Sequence, residues 1–156
     1  MTTPATAARP LLYLDDLKPG DRFTSGEHAL DAAQILAFAA QFDPQPFHTD
    51  PEAAQATFFQ GLAASGWHTA ALTMKLLVES GLPLADGIIG SGGEIHWPQP
   101  TRPGDVLHVE GEVVEVIASR TKPNRGMVQM RCETVNQRGE VLQRFTPKLV
   151  VSRRPA

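Results

Sequence analysis

Hydrophobic side chains recur at intervals of three and four residues shortly after the start of the chain. This spacing places them on one face of a helix, so it predicts a short amphipathic helix at Ala32–Gln41. Asp31 directly before it is a typical N-cap, and Gln34 three residues later forms an approximate capping box with it. The apolar positions are Ile35, Leu36, Phe38, Ala39 and Phe42.

A second apolar stretch begins at Ala63 and is broken mainly by His68 and Lys75. Its side chains are apolar or small on nearly every face of a helical projection. The stretch therefore predicts a helix at Ala64–Ser80 that is buried on most sides, with Gly81 as its C-cap.

The rest of the chain has the texture of β-strands separated by proline and glycine. The segment VLHVEGEVVEV, residues 106–116, approaches the apolar and polar alternation of a half-buried strand. NQRGE, residues 136–140, is typical of a hairpin turn between antiparallel strands. Strands are predicted at Arg22–Leu30, Ile88–Ile89, Glu94–Trp97, Asp105–Ile117, Gly126–Asn136 and Glu140–Ser152.

These elements predict an α+β fold with a long central helix wrapped by a curved antiparallel β-sheet. A helix that is apolar nearly all round needs a large cover, and about five strands can supply it. The open face or the edge strand of such a sheet would favour a dimer.

Length and composition narrow the class of protein. The 156 residues suit one domain, predicted at 13–152, with mobile segments at 1–12 and 153–156. The net charge of −3 does not favour binding to nucleic acid or to an anionic membrane. No signal peptide or membrane span is expected. The single cysteine, Cys132, excludes an internal disulfide and suits the cytoplasm; it is expected to be a structural strand residue.

The segment FDPQPFHTDP, residues 42–51, carries the candidate chemistry. Pro44 and Pro46 stiffen it, so Asp43 and His48 are expected on a rigid, non-helical corner. A short helix should follow, with Asp50 as N-cap and Pro51 at its first position.

Asp43 and His48 could together hold one water molecule. The neutral imidazole can take a proton from it, the carboxylate can orient it, and the pair can return a proton to a substrate. Gly66 lies in the first turn of the central helix, where a backbone N–H could stabilise a developing negative oxygen. Taken alone, the pattern is more typical of a turn aspartate, a partly buried histidine and a helix-packing glycine.

The chain resembles the MaoC-like dehydratases, which include the (R)-specific enoyl-CoA hydratases of the hotdog fold. The resemblance is carried by the signature DPQPFHTDPEAA at Asp43–Ala54 and by Gly66 at the expected distance from it. Later family elements are PTRPGDVLHV at Pro100–Val109 and the closing NQRGEVL. Together they extend over about Tyr13 to Val151.

This resemblance implies a hydro-lyase acting on a thioester of coenzyme A or of an acyl-carrier protein. Asp43 and His48 would activate the water, and the Gly66 amide would polarise the thioester carbonyl. A homodimer or dimer of dimers is implied, with no cofactor besides coenzyme A as part of the substrate. The candidate substrate-binding residues are Phe47, Phe58, Phe59, Ser65 and Trp67.

Departures from the signature, Phe42, Gln45 and Phe47, bear on the substrate more than on the chemistry. The bulky aromatic residues suggest a short acyl pocket or a preference for aromatic or branched groups. His96 and Trp97 are further candidates for lining a cleft, whereas His68 is expected to be a polar spot on a packed helix. His28 and His108 are expected at the surface, as are four cations, Arg102, Arg120, Lys122 and Arg125.

Three other interpretations compete with the hydratase. A thioesterase on the same fold usually needs a carboxylate on the central helix, where only Glu79 is available, at the far end. An acyl-thioester-binding module without catalysis would not need both Asp43 and His48. A metal site made of Asp43, His48 and Asp50 has no second histidine suitably spaced to complete it.

Overall fold

The computed structural model describes residues 9–156. Its strands are β1 (Arg22–Thr24), β2 (His28–Ala29), β3 (Ile89–His96), β4 (Val106–Ala118), β5 (Arg125–Val135) and β6 (Val141–Ser152). Its α-helices are α1 (Ala32–Phe42), α2 (Pro46–Thr49) and α3 (Gly66–Leu76). Short 3₁₀ turns occupy Leu14–Asp16 and Ala53–Ala56, and a π-helical turn occupies Leu77–Gly81.

All six strands belong to one antiparallel sheet in the order β1-β4-β5-β6-β3, with β2 pairing β4 beside β1. In β4, alternate residues Leu107, Val109 and Val113 are buried, which is the outcome predicted from the alternating sequence. The hairpin between β5 and β6 closes through Asn136 N–H to Glu140 O. Gly139 supplies the left-handed backbone there, with φ of 77°.

Helix α3 lies against the sheet, and its buried side chains combine apolar and hydroxyl groups. Leu72 and Leu76 join the main hydrophobic core. Thr73 Oγ1 instead meets Thr134 Oγ1 of β5 at 2.6 Å and accepts from Gln143 Nε2 of β6 at 2.9 Å. The helix is therefore joined to the sheet by apolar packing and by a buried polar seam.

The predicted helix Ala64–Ser80 begins two residues later, because Ser65 caps α3, and it ends in the π-helical turn. Gly81 is the last residue of that turn rather than a left-handed C-cap. A Cβ at this position would lie 3.2 Å from Leu77 Cδ2 and 3.3 Å from Ser25 Cβ. Close packing therefore favours glycine here, and the C-cap prediction was wrong.

Two strand predictions also need correction. Arg22–Leu30 is not one strand, because pairing is interrupted between β1 and β2, although Ser25 still exchanges hydrogen bonds with the backbone of Val109. In place of the strands predicted at Ile88–Ile89 and Glu94–Trp97 there is one strand, β3, which leaves out Ile88 and Trp97 and carries an irregularity between Gly90 and Gly92. The periodicity of hydrophobic residues alone cannot reveal where a strand is interrupted, because an interruption depends on pairing with the neighbouring strand.

The ends of the described chain contact the rest of the molecule. Leu12 forms a parallel bridge with Leu84, and Arg154 donates to both carboxylate oxygens of Asp16. Residues 1–8 of the predicted mobile segment lie outside the described residues, and the predicted domain limits stay a prediction. Within residues 9–156, no helix is long and apolar enough to cross a membrane.

Candidate active site

Asp43 is placed by the end of α1, where its backbone N–H donates to Ala39 O. Pro44 follows and disfavours helical geometry at Asp43, so the helix ends there. The sequence predicted a non-helical corner from Asp43 to His48. That prediction was wrong for the second half of the segment, because α2 begins at Pro46 and contains His48. Proline is acceptable at the first helical position, since the N–H that it lacks would have no partner within the helix.

His48 is buried, with 4% of its surface exposed, and both ring nitrogens face oxygen atoms. Nδ1 lies 2.6 Å from Ala63 O, and Nε2 lies 3.3 Å from Asp43 Oδ2. A carbonyl oxygen only accepts hydrogen bonds, so Nδ1 must carry a hydrogen. In the neutral ring, Nε2 therefore carries a lone pair that is directed toward the carboxylate. A general base needs such a lone pair to accept a proton.

The Asp43 carboxylate is held at both oxygens. Ser65 Oγ donates to Oδ2 at 2.7 Å, and Gln45 Nε2 donates to Oδ1 at 2.7 Å. Burial acts to raise the pKa of Asp43, but these two hydrogen bonds, together with the positive charge of His48 when it is protonated, outweigh burial and keep that pKa below its usual value. The carboxylate is therefore ionised and fixed in orientation near neutral pH.

The first turn of α3 presents an available donor beside this pair. Trp67 N–H donates to Ser65 Oγ, while His68 N–H and Thr69 N–H donate to Ser65 O. Within residues 9–156 the Gly66 N–H has no acceptor. A Cβ on Gly66 would lie only 2.7 Å from the Trp97 indole, so glycine is required here by close packing.

A cleft of about 490 Å³ joins the three candidate catalytic groups, Asp43, His48 and Gly66. Of the five predicted substrate-binding residues, three also line it: Phe58, Phe59 and Trp67. Phe47 instead packs edge-on against the His48 ring, with centroids 4.5 Å apart, and Ser65 lies behind Asp43 with 1% exposed. The other lining residues are Ala64, Trp97, Pro98, Gln99 and Pro100.

Trp97 lines the cleft as predicted from the sequence, but the neighbouring His96 does not. His96 is largely exposed, and its Nε2 is 3.8 Å from Glu94 Oε2. Trp97 turns inward and donates from Nε1 to Gln143 Oε1 at 3.0 Å. His96 is the last residue of β3, and Trp97 lies just beyond the strand, where its side chain lines the cleft while His96 stays at the surface.

Arg102 is not the solvated surface cation that the sequence suggested. Its guanidinium donates to three backbone carbonyls, those of Phe59, Gly61 and Leu62, at 2.6–3.3 Å. Gln60 between them has a positive φ of 54°, which is unusual for a residue other than glycine. Arg102 therefore stabilises a strained loop that leads directly to Ala63, the acceptor of His48.

Several of these groups were missed as site residues by sequence reasoning. In the sequence Gln45 stands out only as a departure from the family signature, yet it holds Asp43 Oδ1. In the sequence, Pro98–Pro100 indicated only a break between two predicted strands. Their one available signal is their position directly before the PGD element.

The groups behind the competing interpretations lie in other surroundings. Asp50 accepts hydrogen bonds from Glu52 N–H and Ala53 N–H. The helix predicted to begin at Pro51 with Asp50 as N-cap begins instead at Ala53, with Glu52 at the N-cap position, so that prediction was wrong. Among residues 9–156, no group of three or more potential metal ligands is found. Glu79 lies in the π-helical turn after α3 and pairs with Lys75 at 2.5 Å, away from the cleft.

Comparison with known proteins gives the class of this chain. A family model described as MaoC like domain matches residues 17–136, and the chain belongs to this family. The hotdog fold expected from the sequence is confirmed by the similar solved structures.

Three individual relatives illustrate the range of similarity. The crystal structure of a MaoC-like dehydratase from Rhodospirillum rubrum is 61% identical with a TM-score of 0.92, covering 93% of this chain and 99% of that one. The (R)-hydratase from A. caviae involved in PHA biosynthesis is 28% identical with a TM-score of 0.67, covering 88% and 98%. The uncharacterized protein YdeM from Bacillus subtilis (strain 168) is 33% identical over 129 residues, covering 81% of this chain and 89% of YdeM.

Proposed function

We propose that this protein adds water to a trans-2-enoyl thioester, or removes it in the reverse direction, with Asp43 and His48 activating the water. The observation that carries the proposal is the 3.3 Å approach of Asp43 Oδ2 and His48 Nε2 in an open cleft, with His48 Nδ1 held by Ala63 O. When the ring acts as a base in its neutral form, both atoms are hydrogen-bond acceptors. Two lone pairs at this distance repel unless a hydrogen lies between them. One water molecule donating a hydrogen to each satisfies both groups.

The reaction follows from these positions. His48 Nε2 takes a proton from the water as its oxygen bonds to C3 of the substrate. The C2–C3 π electrons shift toward the thioester carbonyl, whose oxygen gains negative charge. The Gly66 N–H stabilises that charge, helped by the positive end of the α3 dipole. The proton then returns from the acid–base pair to C2, giving a 3-hydroxyacyl thioester, and dehydration reverses each step.

The substrate class is supported by relatives and by the cleft. The A. caviae relative is named an (R)-hydratase, so the (R)-3-hydroxyacyl product is part of the proposal. Phe58, Phe59, Trp67 and Trp97 give the cleft an aromatic wall suited to an uncharged acyl group. The carrier is proposed to be coenzyme A or an acyl-carrier protein. Cytoplasmic localisation is also proposed, and the unpaired Cys132 supports it.

A homodimer forms a second part of the proposal. Trp67, Met74 and Val78 of the central helix and its π-helical turn are 60%, 37% and 63% exposed, although large apolar side chains favour burial. Met74 follows Trp67 by seven positions and Val78 follows Met74 by four, and these spacings place all three side chains along one side of a helix. β3 ends the strand order of the sheet, so its outer edge is available for pairing. Together, these features suit a second copy of this chain.

The dimer is tested by sedimentation. Val78→Lys should shift the protein toward monomer, because it places a charge on the most exposed residue of the apolar stripe formed by Trp67, Met74 and Val78. Ile117→Lys is the matched control, since Ile117 is 50% exposed near the far end of β4. An unchanged mass for Val78→Lys would reject this interface.

The activity is tested by hydration of short, long and branched trans-2-enoyl-CoA esters. We expect turnover by the wild-type protein, and losses of about 10²–10⁴-fold in kcat for Asp43→Ala and His48→Ala with the fold intact. Chiral analysis of the product tests the (R) assignment. Unchanged rates in either variant would reject the role of that residue, and equal rates for every ester would reject selection by the aromatic wall.

A further inference from the structure

Ser65 occupies a position between the central helix and the candidate base. It is 1% exposed, and its hydroxyl makes two hydrogen bonds of opposite direction. Trp67 N–H donates to Oγ at 3.2 Å, and Oγ–H donates to Asp43 Oδ2 at 2.7 Å. A hydroxyl has a single hydrogen, and the carboxylate cannot donate while it is ionised. The hydrogen bonds must therefore run from Trp67 N–H to Ser65 Oγ and from Ser65 Oγ–H to Asp43 Oδ2.

Asp43 Oδ2 is also the oxygen that faces His48 Nε2. Ser65 therefore fills one acceptor site of Oδ2 and leaves another directed toward His48 and the cleft. Gln45 holds the opposite oxygen, Oδ1. With both oxygens held, the carboxyl plane cannot rotate freely about its Cβ–Cγ bond.

The first amides of α3 are thus divided between two tasks. Trp67 N–H acts on the carboxylate through the Ser65 hydroxyl, whereas Gly66 N–H remains available beside the cleft. Each hydrogen bond in a chain from amide to hydroxyl to carboxylate polarises the next one. The positive end of the helix dipole consequently favours the ionised form of Asp43 as well as a negative substrate oxygen.

We propose that Ser65 is a positioning residue that sets the orientation and charge of Asp43, and that it does not contact the substrate. This role rests on the proposed hydratase function. It replaces the substrate-binding role expected from the sequence. The pKa of Asp43, held below its usual value in part by Ser65, supports this role.

The test separates the hydroxyl from its function as a helix cap. Ser65→Gly removes the donor to Asp43, but glycine is nearly as good an N-cap as serine. Ser65→Thr keeps a hydroxyl at the same position. Asp31→Ala removes the side-chain cap of α1 outside the cleft, so it is a matched control for loss of helix stability alone.

Steady-state hydration over a range of pH is the first readout. We expect Ser65→Gly to lower kcat about 10–100-fold, the range for losing a hydrogen bond to a charged group. The acid limb of its pH profile should move to higher pH, because Asp43 loses a donor that stabilises its ionised form. Ser65→Thr should recover most of the rate, and Asp31→Ala should retain the wild-type profile.

A second readout does not need activity. The pH titration of the Asp43 side-chain carbon in NMR spectra should move to higher pH in Ser65→Gly and stay in place in Asp31→Ala. An unchanged Asp43 titration in folded Ser65→Gly would overturn the inference. If the wild-type protein hydrates no ester while the titration still moves, the hydratase function fails and the effect of Ser65 on Asp43 stands.

Discussion

Two histidines near the start of the central helix are almost equally buried, yet their surroundings differ. His48 is 4% exposed and places both ring nitrogens against oxygen atoms. His68 is 6% exposed, and its ring stacks on Phe38 with centroids 4.4 Å apart and planes 4° apart. Among the described residues, His68 Nδ1 is buried without a hydrogen-bond partner.

The comparison shows that burial does not by itself prepare a histidine for proton transfer. His48 has one tautomer imposed by Ala63 O and a carboxylate facing its other nitrogen. For His68, burial and then the nearby His28 lower the pKa, so this ring stays neutral near pH 7. Fixed polar partners, rather than depth, distinguish the candidate catalytic ring from the structural one.

The largest expected effect separates the two rings by activity. His48→Gln should lower kcat about 10³-fold, because glutamine cannot accept and return a proton. His68→Gln should remain close to wild type, since His68 does not line the cleft. The measurement is steady-state hydration of an enoyl-CoA ester, with circular dichroism to verify folding. Equal losses in the two folded variants would remove the distinction between the rings.

A smaller effect is expected from the loop that orients His48. Arg102→Met should lower kcat about tenfold, because the loop before Ala63 loses its hydrogen bonds to the guanidinium. Arg102→Lys should recover only part of the rate, since an ammonium cannot reproduce the planar fork.

The exposed Arg120, on the connection between β4 and β5, provides the control variant Arg120→Met. Limited proteolysis near Gln60 should be faster in Arg102→Met than in the wild-type protein, and it should be unchanged in Arg120→Met. The same kcat in Arg102→Met, Arg120→Met and wild type would show that the loop holds His48 without Arg102.

The smallest effect concerns stability in acid. A lowered pKa in the folded protein means that the unfolded chain binds the His68 proton more readily, so stability falls as pH drops below about 6.5. His68→Leu removes both the titratable ring and its buried, unsatisfied nitrogen. As the pH falls, the free energy of unfolding of this variant should therefore rise relative to that of the wild type by about 1 kcal/mol.

Urea unfolding of both proteins at pH 7.5 and pH 5 measures this change. His108→Leu is the control, because His108 is a partly exposed histidine on β4. A difference between His68→Leu and wild type that does not vary with pH would exclude His68 as the acid-sensitive group.

Local chemistry along the chain determined much of the fold. Alternation in β4 predicted its buried face, Asp31 was confirmed as the cap of α1, and NQRGE was confirmed as the hairpin turn. The α+β class and the pairing of an acid with a base at residues 43 and 48 followed similarly. These features depend on residues within a few positions of one another, so period, capping and turn chemistry reveal them.

Only the tertiary structure decided which groups support that pair. Ser65 reaches Asp43 from 22 residues away, and Ala63 O reaches His48 from 15 residues away. Trp97 covers Gly66, and Arg102 holds the loop before Ala63, after the chain has turned back from the sheet. A segment's periodicity carries no information about which distant segment will pack against it. The partners, and with them the tautomer and charge of the site, are consequently set by packing between elements.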